Sequence, residues 1–194
     1  KLCDRRPGLP RSIVRRLAGY GEPANVVSDR EATGSPRLTV SRCLRARFHD
    51  SRCARCLDEC VHGAIHLDGV VRIDGERCRG CMACTAACPS GALEVAHDFQ
   101  RIVERRPPTD PLFLGCARHP LDPGIRVPCL GMLSEEHLAY LFASCPEPIS
   151  LVTASCAECE NAPAVERMKD RILRLERLTS MSFVDRFHFV RVQP

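Results

Sequence analysis

Four cysteines lie within eleven residues near the middle of the chain, and a proline follows them. They form the run 78-CRGCMACTAACP-89, with the spacing C-x2-C-x2-C-x3-C. Three thiolates at this spacing can wrap one [4Fe–4S] cluster, while the fourth reaches a second cluster. Zinc sites usually pair CxxC units across a loop, and disulfides gain most when they close long loops. The run therefore predicts iron–sulfur ligation by Cys78, Cys81, Cys84 and Cys88.

The same pattern occurs once more, 28 residues earlier. The segment 53-CARCLDECVHGAIHL-67 aligns with 81-CMACTAACPSGALEV-95, which indicates a duplicated unit. The earlier copy has Asp50 where the later one has Cys78, and Cys43, ten residues before Cys53, is the candidate replacement. If Cys43 is not a ligand, Asp50 or a three-iron cluster is the alternative.

The duplicated segment resembles the two-cluster bacterial ferredoxin over about residues 43–97. The resemblance implies an α+β ferredoxin module over residues 41–98, with two short hairpins and two short helices around two clusters. It also implies crossed ligation, in which the last thiolate of each run binds the other cluster. The first [4Fe–4S] cluster would take Cys43, Cys53, Cys56 and Cys88, and the second would take Cys60, Cys78, Cys81 and Cys84.

Apolar residues flank the cysteines and are expected to keep water from the clusters. The segment 64-AIHLDGVVRID-74 has a DG turn between apolar runs, which predicts a hairpin. A dry shell with backbone N–H bonds to sulfur sets the reduction potential of such a centre. We expect this shell to contain Ile65, Leu67, Val70, Val71, Ile73, Leu93 and Val95.

The second half of the chain has a different pattern. Residues 99–110 are charged and then Pro-rich, which predicts a linker. Beyond it, the apolar runs PLFLG, IRVPCLG, ISLVTASC and FHFVRV alternate with helical patterns at 134–144 and 162–178. Short strands that alternate with helices predict a small α/β domain with a parallel sheet over residues 111–194.

Four cysteines of this half follow predicted strands. Parallel strands gather ligands at their carboxyl ends, so these thiols are expected to converge. Cys145 follows a helix instead, and we interpret it as a spare buried thiol. The four converging residues are Cys116, Cys129, Cys156 and Cys159.

The segments 126-RVPCLGMLSEEHL-138 and 152-VTASCAEC-159, with the Glu160–Asn161 step into a helix, resemble a known family. That family is the small delta subunit of methyl-viologen-reducing hydrogenase, the electron-transfer partner of heterodisulfide reductase. The resemblance covers about residues 111–194 and implies a [2Fe–2S] cluster on the four converging cysteines. The tight C-x2-C of Cys156 and Cys159 departs from the family pattern. Zinc, a dithiol/disulfide pair and a site without a cluster therefore stay open as alternatives.

Charge and composition argue against several other classes. The net charge is +4, but 26 arginines are interleaved with 24 acidic residues and accompany no nucleic-acid motif, so no nucleic-acid partner is expected. No 18-residue apolar window or secretory signal appears, which predicts a cytoplasmic protein without a transmembrane segment. Residues 1–40, which include Cys3, contain few structural patterns, namely a predicted short helix at RSIVRRLAGY and a predicted strand at PRLTVS. We interpret this region as an N-terminal arm.

These patterns together predict an iron–sulfur electron-transfer subunit without catalytic residues of its own. Its partners would be a flavin- or metal-bearing catalytic subunit and further iron–sulfur subunits of an anaerobic oxidoreductase complex of hydrogenase or heterodisulfide-reductase type. Through these partners the protein could lie peripherally at a membrane. One alternative is a zinc- or cluster-stabilised scaffold without redox turnover. Another is a thiol-exchange protein that uses Cys156 and Cys159.

Overall fold

The cysteine-rich half is built from very short elements. The computed structural model describes residues 34–95, 98–104, 111–118, 124–153 and 156–191, so Cys3 and the predicted helix at RSIVRRLAGY lie outside the described residues. In chain order the elements of this half are β1 (Arg37–Leu38), α1 (Leu44–Arg47), α2 (Arg55–Glu59), β2 (Ile65–His66), β3 (Arg72–Ile73), α3 (Ala83–Ala87) and β4 (Leu93–Glu94).

The strands of this half form two antiparallel pairs, but only one of them is a hairpin. Strands β2 and β3 pair across the predicted DG turn, where Gly69 has φ +78°. Strand β1 pairs with β4, so the start of the unit is joined to its end rather than to a neighbouring strand. The prediction of two hairpins is therefore wrong in this detail. The pair also draws residues 37–38, predicted as part of an N-terminal arm, into the cysteine-rich half.

The interior of this half is smaller than predicted. Ile65, Val71 and Leu93 are buried together with Cys84. Val70 is 53% exposed and does not belong to the expected apolar shell. It follows the hairpin turn, and because successive side chains of an extended chain point to opposite faces, Val71 turns inward and Val70 turns outward.

A helix stands at the start of the region predicted as a linker. Residues Phe99–Glu104 form α4, in which Phe99 and Val103 are 5% and 4% exposed. Two apolar residues four positions apart face the same side of a helix, and here that side packs into the core. The linker prediction is therefore wrong for 99–104, and residues 105–110 lie outside the described part.

A four-stranded parallel sheet organises the second half, as the sequence predicts. The strand order is β6-β5-β7-β8, and each neighbouring pair is parallel. The central strands β5 and β7 are almost wholly buried, which suits strands covered on both faces. In chain order the elements are β5 (Leu112–Cys116), β6 (Ile125–Val127), α5 (Glu135–Ser144), β7 (Ile149–Val152), α6 (Ala162–Thr179), α7 (Phe183–Arg186) and β8 (Phe187–Val190).

Both long helices form where the sequence predicts them. Helix α5 begins after Ser134, whose Oγ accepts from the His137 N–H, while His137 Nδ1 accepts from the Ser134 N–H. This reciprocal pair satisfies two N–H groups that a helix start otherwise leaves without partners. Helix α6 buries its predicted apolar stripe against the sheet: Val165, Met168, Ile172 and Leu175.

The two halves share one continuous core. Cys81 and Met82 of the first half pack in the same buried cluster as Cys129 and Leu130 of the second. A polar junction adds to this contact, because the buried Arg171 guanidinium donates to the Gly131 and Leu133 carbonyls and binds the Glu59 carboxylate at the end of α2. Within the described segments, no helix combines the length and apolarity needed to cross a membrane.

Candidate metal centres

One cavity of the cysteine-rich half, here called the first cavity, is lined by four cysteines from both repeats. Cys43, Cys53 and Cys56 come from the first run, whereas Cys88 comes from the second. The space between these side chains, including its mouth, is about 350 Å³. The structure thus brings together the four thiols that crossed ligation assigns to one cluster.

A second cavity of similar size, about 340 Å³ including its mouth, lies beside the first. Its walls include Ile65, Ile73 and Met82, which exclude water from much of its surface. The two cavities are close neighbours, because Cys56 of the first cavity raises the pKa of Cys84 in the second through a Coulombic interaction. The cysteines that line the second cavity are Cys60, Cys78, Cys81 and Cys84.

The last cysteine of each run is held in the same local geometry. The Ala64 N–H donates to Cys60 Sγ at 3.2 Å, and the Ala92 N–H donates to Cys88 Sγ at 3.2 Å. The intervening glycines, Gly63 and Gly91, have φ values of +58° and +59°, which side chains with a Cβ rarely adopt. These glycines turn the backbone so that its N–H points at sulfur, and such bonds stabilise a thiolate.

Cys43 and Asp50, the two alternatives for the fourth position of the first cluster, occupy different places. Cys43 lines the first cavity. The Asp50 side chain is fully exposed and lies 3.0 Å from the ring of His49, outside the residues that line the cavity. Of the two, only the Cys43 side chain is positioned to share a ligand with the other three thiols.

Burial affects the protonation of three of these thiols. It is the main reason why the pKa values of Cys56, Cys81 and Cys84 are raised, and neighbouring thiols raise them further. Cys88 differs: burial also raises its pKa, but the backbone N–H groups after it and the Ser90 hydroxyl outweigh burial, so its pKa is lowered. A bound metal centre would overcome the burial penalty, because a coordinated thiol loses its proton outright.

The four cysteines of the second half follow strands of the parallel sheet or the loops after them. This set of Cys116, Cys129, Cys156 and Cys159 is called the third cysteine group here. Burial raises the pKa of Cys129 to about 12, and the thiols of Cys81, Cys116 and Cys156 contribute. Burial likewise raises the pKa of Cys156 to about 11, with Cys116 and Cys159 contributing. These mutual effects indicate that Cys116 lies near Cys129 and Cys156, that Cys159 lies near Cys156, and that Cys129 lies near Cys81 of the second cavity.

The donor set of the third cysteine group suits a soft metal centre. The Gly131 N–H donates to Cys129 Sγ at 3.4 Å, and the Asn161 N–H donates to Cys159 Sγ at 3.5 Å. Over the described ranges, no three His, Cys, Asp or Glu side chains are grouped so as to hold a single metal ion. Four cysteine thiolates are a donor set used by both iron–sulfur clusters and zinc.

A polar bridge that no sequence pattern indicates connects the second cavity to the third cysteine group. His62, which lines the cavity, donates through Nε2 to Asn161 Oδ1 at 2.7 Å. Arg79, also on the cavity wall, binds Glu160 at 3.1 Å, and Arg118 binds the same carboxylate at 2.8 Å. No local pattern could predict this bridge, since its partners are 42 to 99 residues apart in the chain.

Each cavity has an arginine in its wall, but only the arginine of the second cavity has an acidic partner among the described residues. Arg79 of the second cavity is paired with Glu160. Arg45 of the first cavity has a buried Nε without a hydrogen-bond partner, and it forms no ion pair with another described residue. Cys145 stands apart from all three groups and is buried in the core, where its carbonyl accepts from Arg186.

The cysteine-rich half matches a known family and several known proteins. Residues 51–92 match the model of the 4Fe-4S dicluster domain. The pyruvate synthase subunit PorD of Methanocaldococcus jannaschii is 31% identical over 77 residues, which cover 37% of this chain and 81% of PorD. The electron transport protein HydN of Escherichia coli strain K12 is 51% identical over 43 residues, 22% of this chain.

The similarity to longer proteins is confined to short segments. AegA of Escherichia coli strain K12 is 34% identical over 65 residues, 31% of this chain. The chain spans 10% of the length of AegA and 25% of HydN. No solved structure matches the chain significantly.

Proposed function

The chain belongs to the 4Fe–4S dicluster family, and we propose that it is an electron-transfer protein that relays single electrons between redox partners. The observation that carries this proposal is the sorting of eight cysteines into two cavities, each lined by four thiols from both repeats. Bound [4Fe–4S] clusters accept and release one electron at a time. The protein supplies the thiolates, the N–H donors and the apolar walls that fix their position and potential.

The proposed ligands follow the cavity walls. Cys43, Cys53, Cys56 and Cys88 would hold the first cluster, and Cys60, Cys78, Cys81 and Cys84 would hold the second. We propose that the third cysteine group holds a [2Fe–2S] cluster, which is supported by its all-sulfur donors and by N–H groups directed at Cys129 and Cys159.

The proximity of the three sites favours a linear relay. The second cavity lies in the middle, because its Cys84 is near Cys56 of the first cavity while its Cys81 is near Cys129 of the third group. The shared core and the polar bridge keep the second cavity and the third group in fixed contact. We extend the proposal to a subunit of an anaerobic oxidoreductase complex of hydrogenase or heterodisulfide-reductase type, with residues 41–98 and 111–194 as its two cluster-binding domains.

Thiol exchange is a weaker explanation of the third cysteine group. Reactive thiols have depressed pKa values, since the thiolate is the nucleophile. The pKa of Cys156 is instead raised to about 11, mainly by burial. A half-buried, protonated thiol suits a ligand that is deprotonated only when metal binds.

Analysis of iron and sulfide in anoxically purified protein tests the proposal. We expect about ten iron atoms per chain, four for each cubane and two for the third site, and EPR signals after dithionite treatment. Cys88→Ser and Cys53→Ser should alter the same EPR signal, whereas Cys60→Ser should alter the other cubane signal. Cys145→Ser is the matched control, because this buried thiol lies outside the three groups. A colourless wild-type protein, or zinc in place of iron, would refute the proposal.

A further inference from the structure

The first cavity has an extension that the second cavity lacks. Nine residues separate Cys43 from Cys53, whereas two separate Cys78 from Cys81. Residues 44–52 form the short helix α1 and an exposed turn, called here the first-cavity loop. Cysteines that line the cavity stand at both ends of this loop. Ligation of one more thiolate does not require so long a segment, since the second run does the same with two residues.

The first-cavity loop and its flanks carry concentrated positive charge. Residues 42–55 contain five arginines and one acidic residue, Asp50. Arg42 is paired with Glu94. Arg47, Arg52 and Arg55 are exposed, and none of them forms an ion pair with another described residue. This concentration differs from the sequence-wide interleaving of charges, and it lies beside a cavity proposed to hold a redox centre.

Apolar side chains are also exposed in this loop and in the residues that flank it in sequence. Phe48, at the end of α1, is 53% exposed, and the Arg47 guanidinium lies 5.3 Å from the centre of its ring. Val40 and Leu57, which flank the loop in sequence, are 44% and 39% exposed. An exposed aromatic residue in contact with an arginine has the composition of an interface centre, where aromatic and Arg side chains supply most of the binding energy.

We propose that the first-cavity loop is the docking surface for a small acidic electron-carrier protein. Unpaired guanidinium groups attract a carboxylate-rich surface and guide it to the cavity, while Phe48 anchors the complex. The surface is small and mostly charged, which suits a transient partner better than a permanent subunit, whose interface would be larger and more apolar. This inference rests on the proposed function, because it takes the first cavity as the end of the relay that faces the partner.

Binding of an acidic flavodoxin to the whole, cluster-containing chain tests the docking surface. Affinity is measured by calorimetry at low and high ionic strength. We expect Arg47→Glu/Arg52→Glu to weaken binding at least tenfold at low salt. The difference in affinity between this variant and wild type should shrink above about 0.5 M salt, because charges are then screened. The double variant Arg101→Glu/Arg177→Glu changes the net charge equally on exposed helix positions elsewhere, and it should bind like wild type.

A second pair of variants separates the aromatic anchor from the charge. Phe48→Ser should weaken binding about fivefold or more at all salt concentrations, since truncation of a central aromatic commonly costs more than about 1 kcal/mol. Leu178→Ser, at a residue that is 73% exposed in α6, is the matched control and should leave affinity unchanged.

Three outcomes would overturn the docking inference. They are no binding of the flavodoxin by wild type, equal losses in the loop and control variants, and tighter binding of double-stranded DNA than of the flavodoxin. Iron content and EPR spectra are recorded on the same samples. Failure of the docking surface with full cluster content leaves the proposed function intact, whereas absent clusters would refute the function itself.

Discussion

Arg45 offers a direct test of how the protein differentiates its two [4Fe–4S] sites. Arg45 lines the first cavity, and its buried Nε has no partner among the described residues, whereas Arg79 at the second cavity shares the Glu160 carboxylate with Arg118. An uncompensated positive charge stabilises the reduced, more negative state of a nearby centre. We therefore expect Arg45→Gln to lower the reduction potential of the first cluster.

The magnitude follows from a screened Coulomb interaction. A unit charge about 8 Å from the centre contributes about 2 kcal/mol at an effective dielectric constant of about 20. Arg45 is half-buried, so solvent screening reduces this to about 1 kcal/mol. For a one-electron couple about 1.4 kcal/mol corresponds to 59 mV, so the expected decrease is about 40 mV.

The assay is a potentiometric titration followed by EPR, with each cubane signal assigned through its cysteine variants. Arg45→Lys keeps the charge, so its decrease in potential should be less than half of the decrease caused by Arg45→Gln. Arg177→Gln, at an exposed position of α6, should change the potential of neither cluster. A decrease confined to the second cluster would refute the assignment of Arg45 to the first cavity. No change in either signal would show that solvent screens this charge completely.

Three further substitutions test the scaffold. Glu59→Gln should destabilise the protein by about 2 kcal/mol in denaturant unfolding, because it leaves the buried Arg171 charge without its carboxylate. Burial lowers the pKa of His137, so the stabilising contribution of its neutral ring is present above about pH 6.5 and is lost as the pH falls. His137→Gln keeps a capping side chain, so its thermal unfolding should depend less on pH below about pH 6.5. Gly91→Ala should cost about 1–2 kcal/mol through its left-handed backbone, while Gly75→Ala, with open space around it, should unfold like wild type.

The fold of the second half was predictable because its signals are local. Buried strands such as β5 appear as continuous apolar runs, and the stripe of α6 recurs with a helical period. The strand ends then place Cys116 and Cys129 at one sheet edge without further information. Helix α4 also had a readable signal, since Phe99 and Val103 are four residues apart, but the charged and Pro-rich residues around them favoured a linker.

The parts that the sequence did not reveal depend on long-range contacts. The pairing of β1 with β4 joins residues about 55 apart, and its short strands have no alternation to recognise. The bridge between His62 and Asn161, and the contact between Glu59 and Arg171, form only after both halves have packed together. Patterns of spacing predict which thiols meet, because ligation imposes spacing, but they do not predict which charges surround the thiols.

Those surrounding charges are what can distinguish two cavities with the same four-cysteine lining. The repeats supply equivalent thiols, equivalent glycines and equal 3.2 Å N–H contacts to sulfur, so ligation alone would give the two centres similar potentials. The difference lies in Arg45, which has no described acidic partner, and in Arg79, which shares the Glu160 carboxylate with Arg118. If the first centre is the more easily reduced, electrons that enter at the third cysteine group run toward the first cavity. There the first-cavity loop offers a basic surface to a partner, so one loop would set both the direction of flow and the place of exit.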